Sequence, residues 1–404
     1  MSLLILVSFL SFVVLGLADG MLGVAWPSVS SVMGVSLGSL GTLMLAFTLG
    51  YVTTTALIGS LIARAGYRRI MPASALFLAA GGLVFALAPG WWILMLAMLT
   101  LGIGGGLLDG GLNAYGAAHF RPRDLNWLHA CYGIGATLGP VIMTPLLAAG
   151  SGWRLGYGVY VAVALASAGF LVALRRHWIE PWDSPPSAAR PTEHGPNTHA
   201  PAAGLRLSMV IGLSVVTFFL YTGLEAVTGQ WLYSLLTLER GLPVGIAGTI
   251  VALYWGGLTA GRVGFGAISE RVEPLRILRI VSVTAILGAV LLIVPGLMGG
   301  TPLPATLLSA AGAVILGLSC APMFPLLIAE TPRRVGAGRA NHVIGVQIAA
   351  ANLGAVGLIS ATGWGVELRS LSVIPWSVLG ITTALVLAHE AVVAISGTGA
   401  GSSV

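Results

Sequence analysis

The stretch GIGGGLLDGGLNAYGAAHF, residues 102–120, is apolar and rich in glycine, and it carries a single carboxylate, Asp109. It continues an apolar run that begins at residue 91. About 20 mainly apolar residues are enough to cross a bilayer as an α-helix. Small residues let such helices pack backbone to backbone. The stretch therefore predicts a closely packed membrane helix that keeps one acid away from lipid.

The composition of the whole chain also favours a membrane. Of its 404 residues 56% are hydrophobic and 8% are charged, whereas soluble proteins contain about 25% charged residues. The two cysteines lie in apolar segments and offer neither a disulfide framework nor metal-ligand spacing. No nucleotide-binding loop motif is present. We expect a protein that is not an enzyme and that holds no cofactor and no metal.

Twelve segments are long and apolar enough to span a bilayer, and each is predicted to be a helix because irregular backbone cannot face lipid. Residues 175–206 are rich in Pro, Ser, His and charge, and they predict a flexible linker. We expect an all-α integral membrane protein with one six-helix bundle at 1–174 and another at 207–404. The predicted segments are 3–26, 37–63, 70–88, 91–118, 126–149, 155–174, 207–235, 243–269, 277–297, 303–329, 340–363 and 373–396.

The arginines predict how the bundle lies in the membrane. If both termini are cytoplasmic, the inner loops hold 15 of the 19 basic residues and the outer loops hold three, with Arg262 inside the eighth segment. Basic residues concentrate in cytoplasmic loops. The net charge of +6 is then a topology signal and requires no nucleic-acid partner. We expect a multi-pass protein of a bacterial cytoplasmic (inner) membrane.

The two halves look like weak repeats of each other. Asp19 and Glu225 are separated by 206 residues, and so are Gly23 and Gly229. One constant offset per region is what duplication followed by loop insertion leaves behind. Two parallel six-helix halves, related by an axis along the membrane normal, are the architecture of the major facilitator transporters. The sequence therefore predicts two pseudo-symmetric bundles of this kind.

The loop GSLIARAGYRR (59–69) resembles the loop signature of the major facilitator superfamily. The acid of that signature is replaced by Ala63, whereas the second half keeps an acid in Glu270, followed by Arg271. The resemblance implies a gate at the inner face, and loss of the acid weakens one latch there. The matching positions in the first half are Gly59, Arg64, Gly66, Arg68 and Arg69.

Three further stretches resemble the fucose permease branch of the superfamily, the sugar–proton symporters. The resemblance implies that Asp109 takes part in proton coupling and that Asp19 has a counterpart in the first helix. The chain departs from the branch at His129, which stands where the fucose permease carries a sugar-contacting Gln. The stretches are GLLDGGLNAY (106–115), LNWLHACYGIGATLGP (125–140) and YTGLEAVTGQWL (221–232).

The deep acids are expected to be functional, because a charge at the bilayer centre costs at least about 2.5–3.5 kcal/mol. Asp19, Asp109 and Glu225 are predicted to face a central aqueous cavity, where a carboxyl group can bind and release a proton. Duplication preserves the helix face, so Asp19 and Glu225 should face each other. The alternative is that each acid is kept for helix packing. Arg262 is expected to pair with Glu330 near the inner end, or with Asp109.

Amide, imidazole and indole side chains are the candidates for solute binding. Amides offer both donors and acceptors, as a polyol requires, and aromatic rings can stack on a sugar. The alternative for each of them is a role in packing or at the membrane interface. The candidates are Asn113, Asn126, His129, Gln230, Trp231, Trp255, Gln347 and Asn352.

Together these features predict a monomeric secondary transporter that takes up a sugar or a similar small polar solute with protons, by alternating access. An exporter or a sodium-coupled carrier of the same fold is the alternative. A membrane sensor or scaffold without transport is a third possibility. Three deep acids speak against a scaffold, which gains nothing from their cost.

Overall fold

The computed structural model describes residues 3–183, 204–268, 273–298 and 302–397. Through these residues the chain forms thirteen α-helices and no strand, which confirms the all-α prediction. The helices are α1 (Leu3–Met33), α2 (Ser39–Ala65), α3 (Tyr67–Leu87), α4 (Trp91–His119), α5 (Pro122–Ala148), α6 (Gly152–Ala173), α7 (Gly204–Ser234), α8 (Val244–Ile268), α9 (Pro274–Leu297), α10 (Pro302–Cys320), α11 (Met323–Val335), α12 (Ala337–Leu368) and α13 (Val373–Gly397).

Twelve membrane spans are present in the described residues, as the sequence predicted. The seventh span continues from α7 into a short π-helix, Leu235–Glu239, and the tenth span consists of two α-helices, α10 and α11. Pro322 and Pro325 lack the N–H groups that would bond to carbonyls one turn earlier, so the helix breaks between Cys320 and Met323. The predicted uninterrupted helix at 303–329 is therefore wrong.

The spans pack as two similar halves. In the first half α1 contacts α5 and α6, α4 contacts α2 and α3, and α3 contacts α6. In the second half α7 contacts α12 and α13, α10 contacts α8 and α9, and α9 contacts α13. The second set repeats the first at an offset of six spans. This packing agrees with the repeat that the sequence predicted.

The halves are held together at one end of the bundle, the end at which α1 finishes and α2 begins, which we term the closed end. Here α1 packs on α7, α2 on α12 and α5 on α8. The α1–α7 contact is backbone on backbone, because a Cβ on Gly23 would lie 2.7 Å from the carbonyl oxygen of Gly229. Closer to the surface, the Ser36 hydroxyl donates to the carboxylate of Glu367.

The opposite end of the bundle, where the chain starts, is open between the halves. On α5 the contacts with α8 include Gly133 and Thr137, where the Thr137 and Thr259 hydroxyls are 3.4 Å apart. His129 lies one turn of α5 before Gly133, closer to the end where the chain starts, and its side chain is exposed. We term this end the open end. In the middle of the bundle, the side chains of Asp19 and Asp109 are partly exposed.

The first residues of the predicted linker 175–206 belong to the first half. Arg175–His177 form a short 3₁₀ turn after α6, and residues 178–183 then fold back onto α3 and α4. Trp178 is buried there, with its ring 4.6 Å from that of Tyr115. The boundary at 174 therefore differs from the structure, in which the first half extends at least to Asp183.

Candidate functional site

Two groups of polar side chains lie between the helices at mid-bundle depth, and the first surrounds Asp109 on α4. The Tyr51 hydroxyl donates to Asp109 Oδ2 over 2.6 Å, and Asn113 Nδ2 donates to Oδ1 over 2.9 Å. His129 is close enough to interact with Asp109 electrostatically. Both carboxylate oxygens are thus held by neutral donors, and no ion pair among the described residues includes Asp109.

The glycines before Asp109 pack closely on a neighbouring helix. A Cβ on Gly102 would overlap the backbone of Phe47, and one on Gly106 would overlap that of Tyr51. Both contacts are with α2. The glycine face of α4 therefore brings α2 close enough for Tyr51 to reach Asp109.

The second group joins the two halves around Asp19 on α1 and Glu225 on α7. The Tyr132 hydroxyl donates to Asp19, and the Tyr221 hydroxyl donates to Glu225. Arg262 Nη2 lies 3.3 Å from both oxygens of Glu225. The Arg262 and Glu225 side chains are 23% and 14% exposed, so the pair is sheltered but not dry.

The two pseudo-symmetric acids lie on opposite sides of the interface between the halves. Their carboxylates interact electrostatically across the interface. They differ in their partners, because Glu225 has Arg262 whereas Asp19 has the neutral Tyr132. Glu225 is therefore neutralised by the protein itself. Asp19 and Asp109 lose their charge only by binding a proton or a cation.

The two expected partners of Arg262 were wrong. Glu330 pairs instead with Arg333 and Arg334, at 2.9 and 4.0 Å, because these arginines follow it by one turn of α11. Asp109 is held by neutral groups in the first half. Glu225 on the adjacent helix is the acid that lies within reach of Arg262.

Two of the candidates for solute binding are packing residues in the second half. The Trp231 indole N–H donates to the Ile359 carbonyl over 3.3 Å. Gln347 donates to Ser214 and accepts from Thr331, both over 3.0 Å. Both side chains are buried with these polar groups paired, so in this conformation neither offers a free polar group to a solute.

The remaining candidates fall into three classes. Asn113 and His129 belong to the Asp109 group, facing the open end. Gln230 and Trp255 lie in the closed interface between the halves. Asn352 donates to the Ile348 carbonyl of its own helix over 3.0 Å. The side chain of Asn126 lies outside the described residues.

The carboxylate-binding tyrosines are the functional side chains that the sequence identified least well. Tyr132 follows His129 by three residues and Tyr221 precedes Glu225 by four, so the sequence places each tyrosine on the same helix face as that residue. Tyr51 has no such signal, because its partner Asp109 is on another helix. Only the packing of α4 on α2 brings them together.

The loop between α2 and α3 is held by an acid that the signature did not predict. Glu180, 2% exposed, accepts from the backbone N–H groups of Tyr67 and Arg68 over 2.7 and 3.0 Å. These amides begin α3, where a negative charge also stabilises the helix dipole. Arg68 further pairs with Asp183 over 2.8 Å.

The other first-half residues of the predicted gate lie in and around the connection between α2 and α3. Gly66 has φ +77°, a left-handed conformation that glycine tolerates, and it forms the whole connection between α2 and α3. Arg64 and Arg69 are exposed, and a Cβ on Gly59 would meet no neighbour. Glu270 and Arg271 lie outside the described residues.

Solved transporter structures share this fold. The nucleoside transporter NupG superposes with a TM-score of 0.70 at 15% identity, over 96% of this chain and 98% of that one. The peptide transporter POT in complex with alafosfalin gives 0.71 at 15% identity, over 97% and 95%. At this identity the likeness concerns the fold alone.

Sequence comparison gives the family. Bypass of stop codon protein 6 of Saccharomyces cerevisiae is 25% identical over 284 residues, which are 66% of this chain and 57% of that protein. This chain therefore matches a little over half the length of that relative. The sequence pattern of the Major Facilitator Superfamily matches residues 8–358. This multi-pass membrane protein belongs to the Major Facilitator Superfamily of transporters.

Proposed function

We propose that this protein moves a small polar solute across the membrane together with protons, by alternating access. The observation that carries the proposal is the pair of mid-bundle acids without a cationic partner, Asp19 and Asp109. Each is held by a tyrosine hydroxyl, and both side chains keep part of their surface accessible. A carboxyl group in this setting can carry a proton while the surrounding donors keep its position fixed.

The side chains around these acids favour a solute that forms hydrogen bonds. Asn113 and His129 face the open end beside Asp109, and between them they offer donors and acceptors. A sugar or a similar polyol has hydroxyl groups that serve as both. We therefore propose a sugar first, in line with the resemblance to the fucose permease branch.

The direction of transport is proposed from the arginine distribution. With both termini cytoplasmic, the open end faces the cytoplasm and the closed end faces outward. The structure then corresponds to the state that releases solute into the cell. A proton gradient directed inward would drive uptake, because the acids bind protons from outside before the protein changes to its inward-open conformation.

The test is transport by the purified protein in proteoliposomes. Counterflow of labelled solutes, with monosaccharides, nucleosides and dipeptides compared side by side, identifies the solute class without any gradient. Accumulation is then measured with an inward proton gradient and, separately, with an inward sodium gradient.

The proposal expects counterflow of a sugar and accumulation with the proton gradient alone. Accumulation that follows sodium and ignores pH would contradict proton coupling. Counterflow of nucleosides or dipeptides without sugars would contradict the sugar assignment. No counterflow by a correctly folded protein would contradict transport of these solute classes.

A further inference from the structure

Besides Thr144, whose Oγ1 lies against Gly248, two buried side chains in the closed interface each leave one polar atom without a hydrogen-bond partner. They are the amide oxygen Oε1 of Gln230 and the indole nitrogen Nε1 of Trp255. The residues are 4% and 3% exposed. Buried polar groups in native proteins are nearly always paired, and an unpaired one destabilises the state that buries it.

Both groups belong to the surfaces that separate when the closed end opens. Gln230 donates its Nε2 to the Asp19 carbonyl of the other half over 3.2 Å. The Trp255 ring packs on Gly229, at the place where α7 crosses Gly23 of α1. The amide of Gln230 thus lies against the backbone of Asp19, and the Trp255 ring lies against Gly229, the residue before Gln230.

We propose that Gln230 and Trp255 form a solute subsite that is available only while the closed end is open. Gln230 Oε1 accepts a hydrogen bond from the solute there, and Trp255 Nε1 donates one to it. A hydroxyl group is both donor and acceptor, so a polyol fits this pair. The inference rests on the proposed function and adds where, and in which conformation, the solute is bound.

The subsite makes the two sides of the membrane unequal. Solute arriving at the closed end binds Gln230 and Trp255 in addition to the central residues. Once the closed end shuts, both groups are withdrawn, and the solute keeps only the contacts that face the open end. Affinity is therefore higher on the closed-end side, which suits a protein that captures solute there and releases it at the other end.

The experiment compares matched substitutions. Trp255→Phe and Gln230→Met remove the unpaired atoms and keep most of each side chain. Trp231→Phe and Gln347→Met are the controls, because their polar groups are paired within the second half. All four positions are buried in the second half, and Gln230→Met is the one that also removes a hydrogen bond to the first half.

The first readout requires no solute. Ser360→Cys lies against Gly41 in the closed interface, and in a background without Cys131 and Cys320 its labelling by a maleimide reports opening of that end. Removing an unpaired buried group stabilises the closed interface, so labelling should slow about fivefold or more in Trp255→Phe. In Gln230→Met the slowing should be smaller, because this change also removes the hydrogen bond to the Asp19 carbonyl across the interface. The controls should not slow it. Equal labelling in all variants, or the same slowing in the controls, overturns the proposal.

The second readout is the half-saturating concentration of the panel sugar with the strongest counterflow, measured separately on each side of oriented vesicles. On the closed-end side it should rise about two- to tenfold in Trp255→Phe and Gln230→Met, the factor that one net hydrogen bond supplies. On the open-end side it should be unchanged or lower. An equal rise on both sides overturns the sided subsite. An absence of counterflow in the unsubstituted protein counts against the proposed function, whereas the labelling result still tests the two unpaired groups.

Discussion

Replacing Arg262 by Gln should destabilise the protein more than any single loss of charge at its surface. The change leaves the Glu225 carboxylate sheltered between the halves without its cation. Breaking a fully buried pair costs about 3–5 kcal/mol. Because the Arg262 and Glu225 side chains keep 23% and 14% exposure, water screens part of this, and we expect about 2–3 kcal/mol.

The assay is chemical unfolding in detergent, followed by the reactivity of Cys131 and Cys320, which are buried in the folded protein. Glu225→Gln in the Arg262→Gln background removes the unpaired carboxylate and should restore about 1–2 kcal/mol of the free energy of unfolding. Arg333→Gln is the control, because Arg333 is 69% exposed and its pair with Glu330 should contribute less than about 0.5 kcal/mol. Equal losses from Arg262→Gln and Arg333→Gln, or no recovery in the double variant, would refute the pairing argument.

Three further outcomes are expected. Glu180→Gln removes the charge that holds the start of α3, so it should lower the free energy of unfolding by about 1–2 kcal/mol in the same assay, and an unchanged value would mean that Glu180 is not an anchor. Gly23→Val places a branched side chain where α1 meets α7, so maleimide labelling of Ser360→Cys should become faster, and slower labelling would contradict the closed-end contact. A cysteine at Ser187, in the segment between the halves, should react with an impermeant maleimide only after the cell membrane is made permeable. Rapid reaction in intact cells would reverse the proposed orientation.

The fold could be read from the sequence because membrane helices follow a simple rule. Length and apolar composition alone located the spans, and the constant offset between Asp19 and Glu225 revealed the repeat. The break within the tenth span was missed, since Pro322 lies in an otherwise uninterrupted apolar run. The anchoring of residues 178–183 was also missed, because Glu180 stands in a polar stretch that is typical of linkers.

The sequence identified the acids that lie deep in the bundle, but it did not identify most of the side chains that contact them. Asp19, Asp109 and Glu225 stand out because a carboxylate in an apolar helix is costly. Which acid Arg262 neutralises depends on how α8 lies against α7, and single-helix spacing contains no such information. The same limit applies to Trp231 and Gln347, which are polar in sequence but are paired within the second half.

The central claim is that solute and protons move together through Asp109. Its most direct test is proton movement in lightly buffered proteoliposomes, recorded with a pH-sensitive dye when the transported solute is added. The account predicts that solute entry draws protons in with the unsubstituted protein, and that Asp109→Asn abolishes this proton movement while solute exchange persists. Asp124→Asn, at the start of α5, is the control that should leave proton movement intact. Proton movement that continues undiminished in Asp109→Asn would contradict the account.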